Sequence, residues 1–100
     1  AIHKALKRAN LSLDQMDVIE INEAFSAQVL ACLKQLGVDG KDDRVNPNGG
    51  AIAVGHPLGA SGPRLVLTAI RELQRRNAKR AVVSMCVGVG QGIAMVLERP

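Results

Sequence analysis

The amino-acid sequence predicts an α/β fold in which helical layers pack on a mixed β-sheet. Segments with helical spacing alternate with short apolar segments, in the order strand, helix, strand, helix, strand, strand. This alternation is typical of a sheet that is covered by helices. Hydrophobic residues make up 47% of the 100 residues, yet Phe25 is the single aromatic residue. A core built from small aliphatic side chains suits close packing of helices on a sheet, and the length allows at most one small domain.

The elements of the first half follow from local patterns. The chain opens inside a helical pattern that Asn10 can end, and Ser12 to Gln15 has the spacing of a capping box. The apolar segment Val18 to Ile21 is predicted to be a short strand. A helix is predicted for Asn22 to Leu36, with more than half of its circumference apolar, and Gly37 is predicted to end it. Because the chain starts inside an element and without methionine, we expect a fragment of a larger protein.

The second half is predicted to contain one long helix and a hairpin. Ser61 is predicted to cap the helix, with Pro63 in its first turn, and the helix should run to about Arg76. Its first half is apolar nearly all round, which predicts burial in the middle of a layered structure. The segments Ala81 to Met85 and Ile93 to Leu97 are predicted strands, and the short glycine-containing turn between them indicates a hairpin.

The segment Asn46 to Gly62 is the most distinctive stretch of the chain, and we expect Val45 to lead a short strand into it. It holds His56 in a frame of five glycines and two prolines. Pro57 fixes the backbone directly after the histidine and biases His56 towards an extended conformation. An imidazole held this rigidly on a loop is typical of a catalytic or ligand-binding group, although a tight turn with an incidental histidine is the alternative.

Three polar side chains are predicted to meet at one edge of the sheet. Asn22, His56 and Cys86 each follow a predicted strand, and sites in open α/β sheets lie beyond the carboxyl ends of parallel strands. A thiol and an imidazole in proximity can exchange a proton near neutral pH, and backbone N–H groups near the glycines after Cys86 suit a developing oxyanion. The pattern leaves open whether Cys86 is a nucleophile or a proton carrier.

Three motifs together resemble the C-terminal signatures of the thiolases, which are acetyl-CoA acetyltransferases and 3-ketoacyl-CoA thiolases. They are NEAFSAQ from Asn22, NPNGGAIAVGHPLGASG from Asn46 and CVGVGQG from Cys86, in the family's order. The resemblance covers essentially the whole chain. It implies a thiolase-like fold, with residues 1–100 forming the C-terminal portion of the thiolase C-terminal domain and the N-terminal nucleophile domain absent.

The resemblance also implies a role for each site residue. His56 resembles the histidine that activates the nucleophilic cysteine, and Asn22 the asparagine that holds a water of one oxyanion hole. Cys86 resembles the second catalytic cysteine, which exchanges the α-proton, and the Gly88 N–H a donor of the other oxyanion hole. Phe25 would line the pocket for pantetheine and the acyl group.

The rest of the expected enzyme is implied in the same way. The resemblance implies transfer of an acyl group from CoA to a cysteine in the missing N-terminal half, followed by Claisen-type carbon–carbon chemistry or its reverse. Acyl-CoA and CoA would be substrates, no metal or organic cofactor would be needed, and the complete protein would be a homo-oligomer, a dimer or tetramer. The fragment alone is expected to be inactive. It would lack the first strand of its half, which leaves a central sheet position empty or filled by other means, and Glu23 would support the site.

Two other classes remain as alternatives. The first is a non-catalytic thiolase-like domain that binds acyl-CoA or a lipid, although such a module need not keep Asn22, His56 and Cys86 together. The second is a decarboxylating ketoacyl synthase, which uses a pair of histidines and lacks the cysteine at position 86. The sterol-carrier type of thiolase usually has histidine in place of Asn22, so the sequence favours the ordinary thiolases.

Composition excludes further classes of function. Thirteen Lys and Arg against nine Asp and Glu give a net charge of +4. The excess suits solvated helix faces or a site for an acidic or phosphorylated partner, and without interleaved aromatic residues it does not predict nucleic-acid binding. No metal-ligand spacing, signal peptide or membrane span is apparent. Cys32, predicted to be buried, and Cys86 lie in unlike settings, which fits a reducing compartment: the cytoplasm, or a mitochondrion or peroxisome in a eukaryote.

Overall fold

A computed structural model describes all 100 residues, Ala1–Pro100, as a three-layer arrangement of helices and a sheet. The helices are α1 (Ile2–Ala9), α2 (Ser26–Leu36), α3 (Ala51–Val54) and α4 (Leu58–Arg76), and the strands are β1 (Val18–Ile21), β2 (Arg80–Cys86) and β3 (Gly92–Glu98). A short 3-10 turn at Leu13–Gln15 carries the predicted capping box. No helix is both long and apolar enough to cross a membrane.

The sheet is mixed, as predicted. β1 pairs in parallel with β2, and β2 pairs antiparallel with β3 as a hairpin. Val45 adds one parallel bridge to Ile19 on the outer side of β1, so the predicted short strand is reduced to a single residue. The three strands are direct neighbours, and the empty central position implied by the resemblance is not found.

Each face of the sheet carries its own hydrophobic cluster. Alternate residues of β1 point to opposite faces, so Ile19 and Ile21 pack against α1 and α2, whereas Val18 packs against α4. Asn10 ends α1 in a left-handed conformation, and Gly37 ends α2 in the same way. The sheet is therefore enclosed between α1 and α2 on one side and α4 on the other.

Two predicted helix boundaries are wrong. α2 begins at Ser26 rather than Asn22, because Asn22 continues the strand and donates its backbone N–H to Ser84 O at 2.9 Å. α4 begins at Leu58 with Pro57 as its N-cap, so Ser61 lies inside the helix and Pro63 is its sixth residue rather than part of its first turn.

Burial also differs from the prediction in two places. The side of α4 that faces the sheet is buried, but its outer side is open, with Leu67 57% and Ile70 40% exposed. The apolar first half of α4 is thus covered on one side only within this chain. Cys32 is half-buried rather than buried, and its Sγ accepts a hydrogen bond from Gln28 Nε2 at 3.7 Å.

Candidate functional site

The candidate site is built around Asn22 and His56, which the fold brings into contact. Asn22 follows β1 and is fully buried, and its Nδ2 lies 3.2 Å from His56 Nε2. His56 lies between Gly55, at a φ of 92° that favours glycine, and Pro57, the N-cap of α4. These two flanking residues fix the backbone on both sides of the imidazole, so the ring has a defined direction.

Ser61 completes a relay with the imidazole. Its Oγ lies 2.5 Å from His56 Nδ1, and its hydroxyl donates to Pro57 O at 3.2 Å. With the hydroxyl hydrogen used for Pro57, Oγ accepts the Nδ1–H of His56. The Asn22 amide can only donate from Nδ2, which independently makes His56 Nε2 an acceptor. Both contacts therefore indicate one tautomer, in which Nε2 is unprotonated, accepts from Asn22 and can act as a base.

A second set of hydrogen bonds ties the strand end to the loop that carries His56. The side chain of Asn46 accepts from Ile21 N at 2.8 Å and donates to Ile21 O at 2.9 Å and to Glu23 Oε1 at 3.1 Å. Glu23 Oε2 in turn accepts from Ile52 N, in α3, at 3.0 Å. A Cβ at Gly50 would lie 2.2 Å from Glu23 Cδ, so only glycine allows this approach. Glu23 therefore connects the end of β1 to the segment that carries His56.

Cys86 and Gly88 lie at the same edge of the sheet, because Cys86 ends β2 beside the end of β1. The turn after it has two backbone hydrogen bonds, Val87 N to Gln91 O and Gln91 N to Gly88 O, and neither uses the Gly88 N–H. Gly88 has a φ of 89° and is exposed, so its N–H remains free to bind an oxygen. No hydrogen bond joins Cys86 to Asn22 or His56 within this chain.

A cavity lies on the opposite face of the sheet from α4. It has a volume of about 330 Å³ between α1, α2 and the β2–β3 hairpin, and Cys86, Cys32 and Gln28 line it. Asn22 and His56 are not part of its lining. Phe25, which is predicted to line an acyl pocket, precedes α2 and is 73% exposed. Within this chain its ring therefore lines no enclosed pocket.

Two carboxyl groups, one in β1 and one in α4, are buried and differ in their electrostatics. Burial raises the pKa of Glu20, in β1, to about 7, and the positive charge of Arg64 opposes that rise. Hydrogen bonds from Arg75 and Asn48 lower the pKa of Glu72, in α4, to about 2. No group of three or more His, Cys, Asp or Glu side chains is arranged to hold a metal ion.

The sequence identified Asn22 and His56 but not Ser61, which is the third member of the relay. The sequence predicts Ser61 to be a helix cap. A signal for its contact with the imidazole is its position five residues after His56, with Pro57 between them at the start of a helix. Glu20 and Asn46 were missed as well. A glutamate inside an otherwise apolar strand was a visible anomaly, because burying an unpaired charge is costly.

Comparison with known proteins assigns the chain to one family. The family model described as "Thiolase, C-terminal domain" matches residues 1–99. The chain is 67% identical over 99 residues to beta-ketoadipyl-CoA thiolase of Acinetobacter baylyi, covering 99% of this chain and 25% of that protein. It is 57% identical over 101 residues to 3-ketoacyl-CoA thiolase of Vibrio cholerae, covering 100% of this chain and 26% of that protein.

A solved structure supports the same assignment. The crystal structure of the Bacillus anthracis acetyl-CoA acetyltransferase matches with a TM-score of 0.92 and 44% sequence identity. The match covers 98% of this chain and 24% of that one. The chain thus spans about a quarter of the length of the proteins it matches.

Proposed function

The chain belongs to the thiolase family, and from that premise we propose that it supplies the base and the proton carrier of a thiolase active site. The observation that carries the proposal is the relay from Ser61 through His56 to Asn22, which leaves the His56 Nε2 lone pair at the end of β1. The complete enzyme would form or cleave 3-ketoacyl-CoA, with acyl-CoA and CoA as substrates and with no metal or organic cofactor required.

The proposed reaction begins with the nucleophilic cysteine of the N-terminal half. His56 Nε2 takes the thiol proton, and the thiolate attacks the 3-keto carbon of the substrate. The bond between C2 and C3 then breaks, which leaves an acyl-enzyme thioester and the enolate of acetyl-CoA. Cys86 gives its proton to the enolate carbon, and the thiol of a second CoA molecule takes the acyl group from the enzyme. Donors at Asn22 and Gly88 would stabilise the charge on the two carbonyl oxygens.

The contacts around His56 suit this role in the base step. At 3.2 Å the Asn22–His56 hydrogen bond is at the long end of the normal range, so Nε2 can exchange this donor for a thiol proton. The Nδ1–H stays bound to Ser61, which stabilises the imidazolium that forms. The chemistry therefore needs only one new proton at Nε2 and no rotation of the ring.

Among 3-ketoacyl-CoA substrates we propose beta-ketoadipyl-CoA as the preferred one. Support comes from the relatives, since the beta-ketoadipyl-CoA thiolases of Acinetobacter baylyi and Pseudomonas aeruginosa are 67% and 58% identical to this chain. We further propose that the complete protein is a homo-oligomer in a reducing compartment such as the cytoplasm, where Cys32 and Cys86 remain free thiols.

The test uses the full-length protein that contains this chain. Purified enzyme is mixed with CoA and either beta-ketoadipyl-CoA or acetoacetyl-CoA, and loss of the ketoacyl thioester is followed. We expect turnover of both, a higher kcat/KM for beta-ketoadipyl-CoA, and no turnover by the His56→Ala variant. Binding of acyl-CoA without turnover would instead support a non-catalytic acyl-CoA or lipid-binding domain. The isolated chain of residues 1–100 is expected to show no turnover, because it lacks the nucleophilic half.

A further inference from the structure

Glu20 is a buried carboxyl group that the proposed chemistry does not use. It lies in the middle of β1, its side chain is 0% exposed, and neither carboxyl oxygen has a hydrogen-bond partner. Val18 packs against α4, so the alternation along the strand directs Glu20 and Asn22 to the same face, towards α4. Glu20 therefore lies directly behind the asparagine of the site.

Arg64, on the facing helix α4, is the candidate partner of opposite charge. It follows Ser61 by three residues, so the two side chains lie on one side of α4. Its Nη2 is buried and also has no hydrogen-bond partner. The Arg64 charge lowers the pKa of Glu20 against the rise caused by burial, although no hydrogen bond and no ion pair within 4 Å joins the two side chains.

The remaining charges near Glu20 are both negative. Glu23, in the loop after β1, and Glu72, on α4, each raise the pKa of Glu20. The neighbouring strand β2 presents Ala81 and Val83 to the same face, and neither is charged. Arg64 is thus the positive charge that can offset the cost of a buried Glu20 carboxylate, and the unpartnered acceptors on the face of β1 directed towards α4 are the Glu20 carboxyl oxygens and Asn22 Oδ1.

From this arrangement we infer that Glu20 and Arg64 act as a buried pair that positions His56. Glu20 is two residues before Asn22 on β1, and Arg64 is three residues after Ser61 on α4. Attraction between them holds the first turns of α4 against the end of β1, and this fixes the distance from Asn22 Nδ2 to His56 Nε2. Glu20 and Arg64 are positioning residues, because neither reaches the reacting atoms. The inference rests on the proposed thiolase function.

The pair predicts a characteristic pattern in a double-mutant cycle. Removing one partner leaves an uncompensated buried charge and displaces the helix start, whereas removing both leaves no charge to compensate. Misplacement of a catalytic group reduces the rate of the chemical step more than it reduces ground-state binding. We therefore expect each single change to lower kcat with little change in KM, and the double change to be no more severe than either single change.

The experiment compares Glu20→Gln, Arg64→Met and the double variant in the full-length enzyme. Thiolysis of acetoacetyl-CoA gives kcat and KM, and the thermal midpoint reports stability. We expect a drop in kcat of about 10-fold for each single variant, unchanged KM, and a double variant that equals or exceeds the better single variant. Glu72→Gln is the matched control, because Glu72 is an equally buried carboxylate with arginine partners on the same helix but is remote from Ser61. It should lower the thermal midpoint and leave kcat unchanged.

The outcomes separate the inference from the proposed function. If the unmodified enzyme has no thiolysis activity, the proposed function fails. If the unmodified enzyme is active but the two single effects multiply in the double variant, or if Glu20→Gln changes only the thermal midpoint as Glu72→Gln does, the positioning pair is refuted. If a single variant does not yield folded protein, the double variant decides. A folded and active double variant supports the pair, and a double variant that also fails to fold overturns it.

Discussion

Replacing Ser61 by alanine tests the relay at its most specific contact. Ser61 is 1% exposed and its Oγ lies 2.5 Å from His56 Nδ1, so the variant leaves the Nδ1–H buried without an acceptor. The imidazole then loses the interaction that selects its tautomer. In the competing tautomer Nε2 carries the proton, so Nε2 can neither accept a hydrogen bond from Asn22 nor take a proton from a thiol.

The size of the effect follows from the cost of an unsatisfied buried donor. That cost is about 1–3 kcal/mol, which corresponds to a reduction of about 5- to 150-fold in the rate of acylation. We expect KM to change little, because Ser61 lies behind the imidazole and is not directed at the substrate. A reduction in this range would identify Ser61 as a positioning residue for the base.

The assay is rapid mixing of the full-length enzyme with substrate and detection of the acyl-enzyme. Nitrogen-15 NMR of the histidine rings reports the tautomer directly, with the exposed His3 as an internal reference. Thr68→Ala is the control, because the Thr68 hydroxyl lies on the same helix and makes no hydrogen bond. Acylation by Ser61→Ala at the rate of the unmodified enzyme, with the proton still on Nδ1, would refute the relay.

Three further predictions concern other parts of the chain. In the full-length enzyme, Cys86→Ser should spare thiol exchange of acetyl-CoA but slow deuterium wash-in at the acetyl methyl group by about 10²-fold or more, because a hydroxyl is a poorer base than a thiolate; equal losses in both partial reactions would exclude a dedicated proton carrier. Glu72→Gln should lower the thermal midpoint at neutral pH by about 2–4 °C for each kcal/mol lost. Because the pKa of Glu72 is lowered to about 2, its stabilisation is complete above the ordinary value of 4.5 and is lost as the pH falls towards 2, so the two melting curves should converge there; a difference that persists would contradict the ion pair. Gly50→Ala should destabilise the protein, since its Cβ would overlap Glu23, whereas Gly59→Ala has nothing within 4 Å and should leave the midpoint unchanged; equal midpoints would show that the loop yields.

The sequence predicted the element order and the mixed sheet because these depend on periodicity, which is a local property. The confirmed positions include the turn of Asn10, the capping box at Ser12 and the hairpin between β2 and β3. The thiolase resemblance also stands, since the family model matches residues 1–99. The roles of Asn22, His56 and Cys86 remain predictions, although the first two are in contact.

The errors occurred where a long-range contact overrides a local rule. Ser61 before Pro63 satisfies the usual rule for a helix start, but α4 already begins at Leu58 and the Ser61 hydroxyl contacts His56 instead. Asn22 was placed in a helix because apolar residues follow it, yet its backbone completes a hydrogen bond with β2.

The two asparagines of the segment Asn46 to Gly62 differ in how readily they deamidate. Deamidation starts when the backbone nitrogen of the following residue attacks the asparagine side chain. Asn46 is followed by Pro47, whose nitrogen carries no hydrogen, so the side chain that holds both backbone groups of Ile21 is protected. Asn48 is followed by Gly49, the least hindered neighbour, and it donates to Glu72 Oε2 at 2.9 Å. In a stored preparation, Asn48 would convert first, and the new carboxylate would face that of Glu72 across a former hydrogen bond.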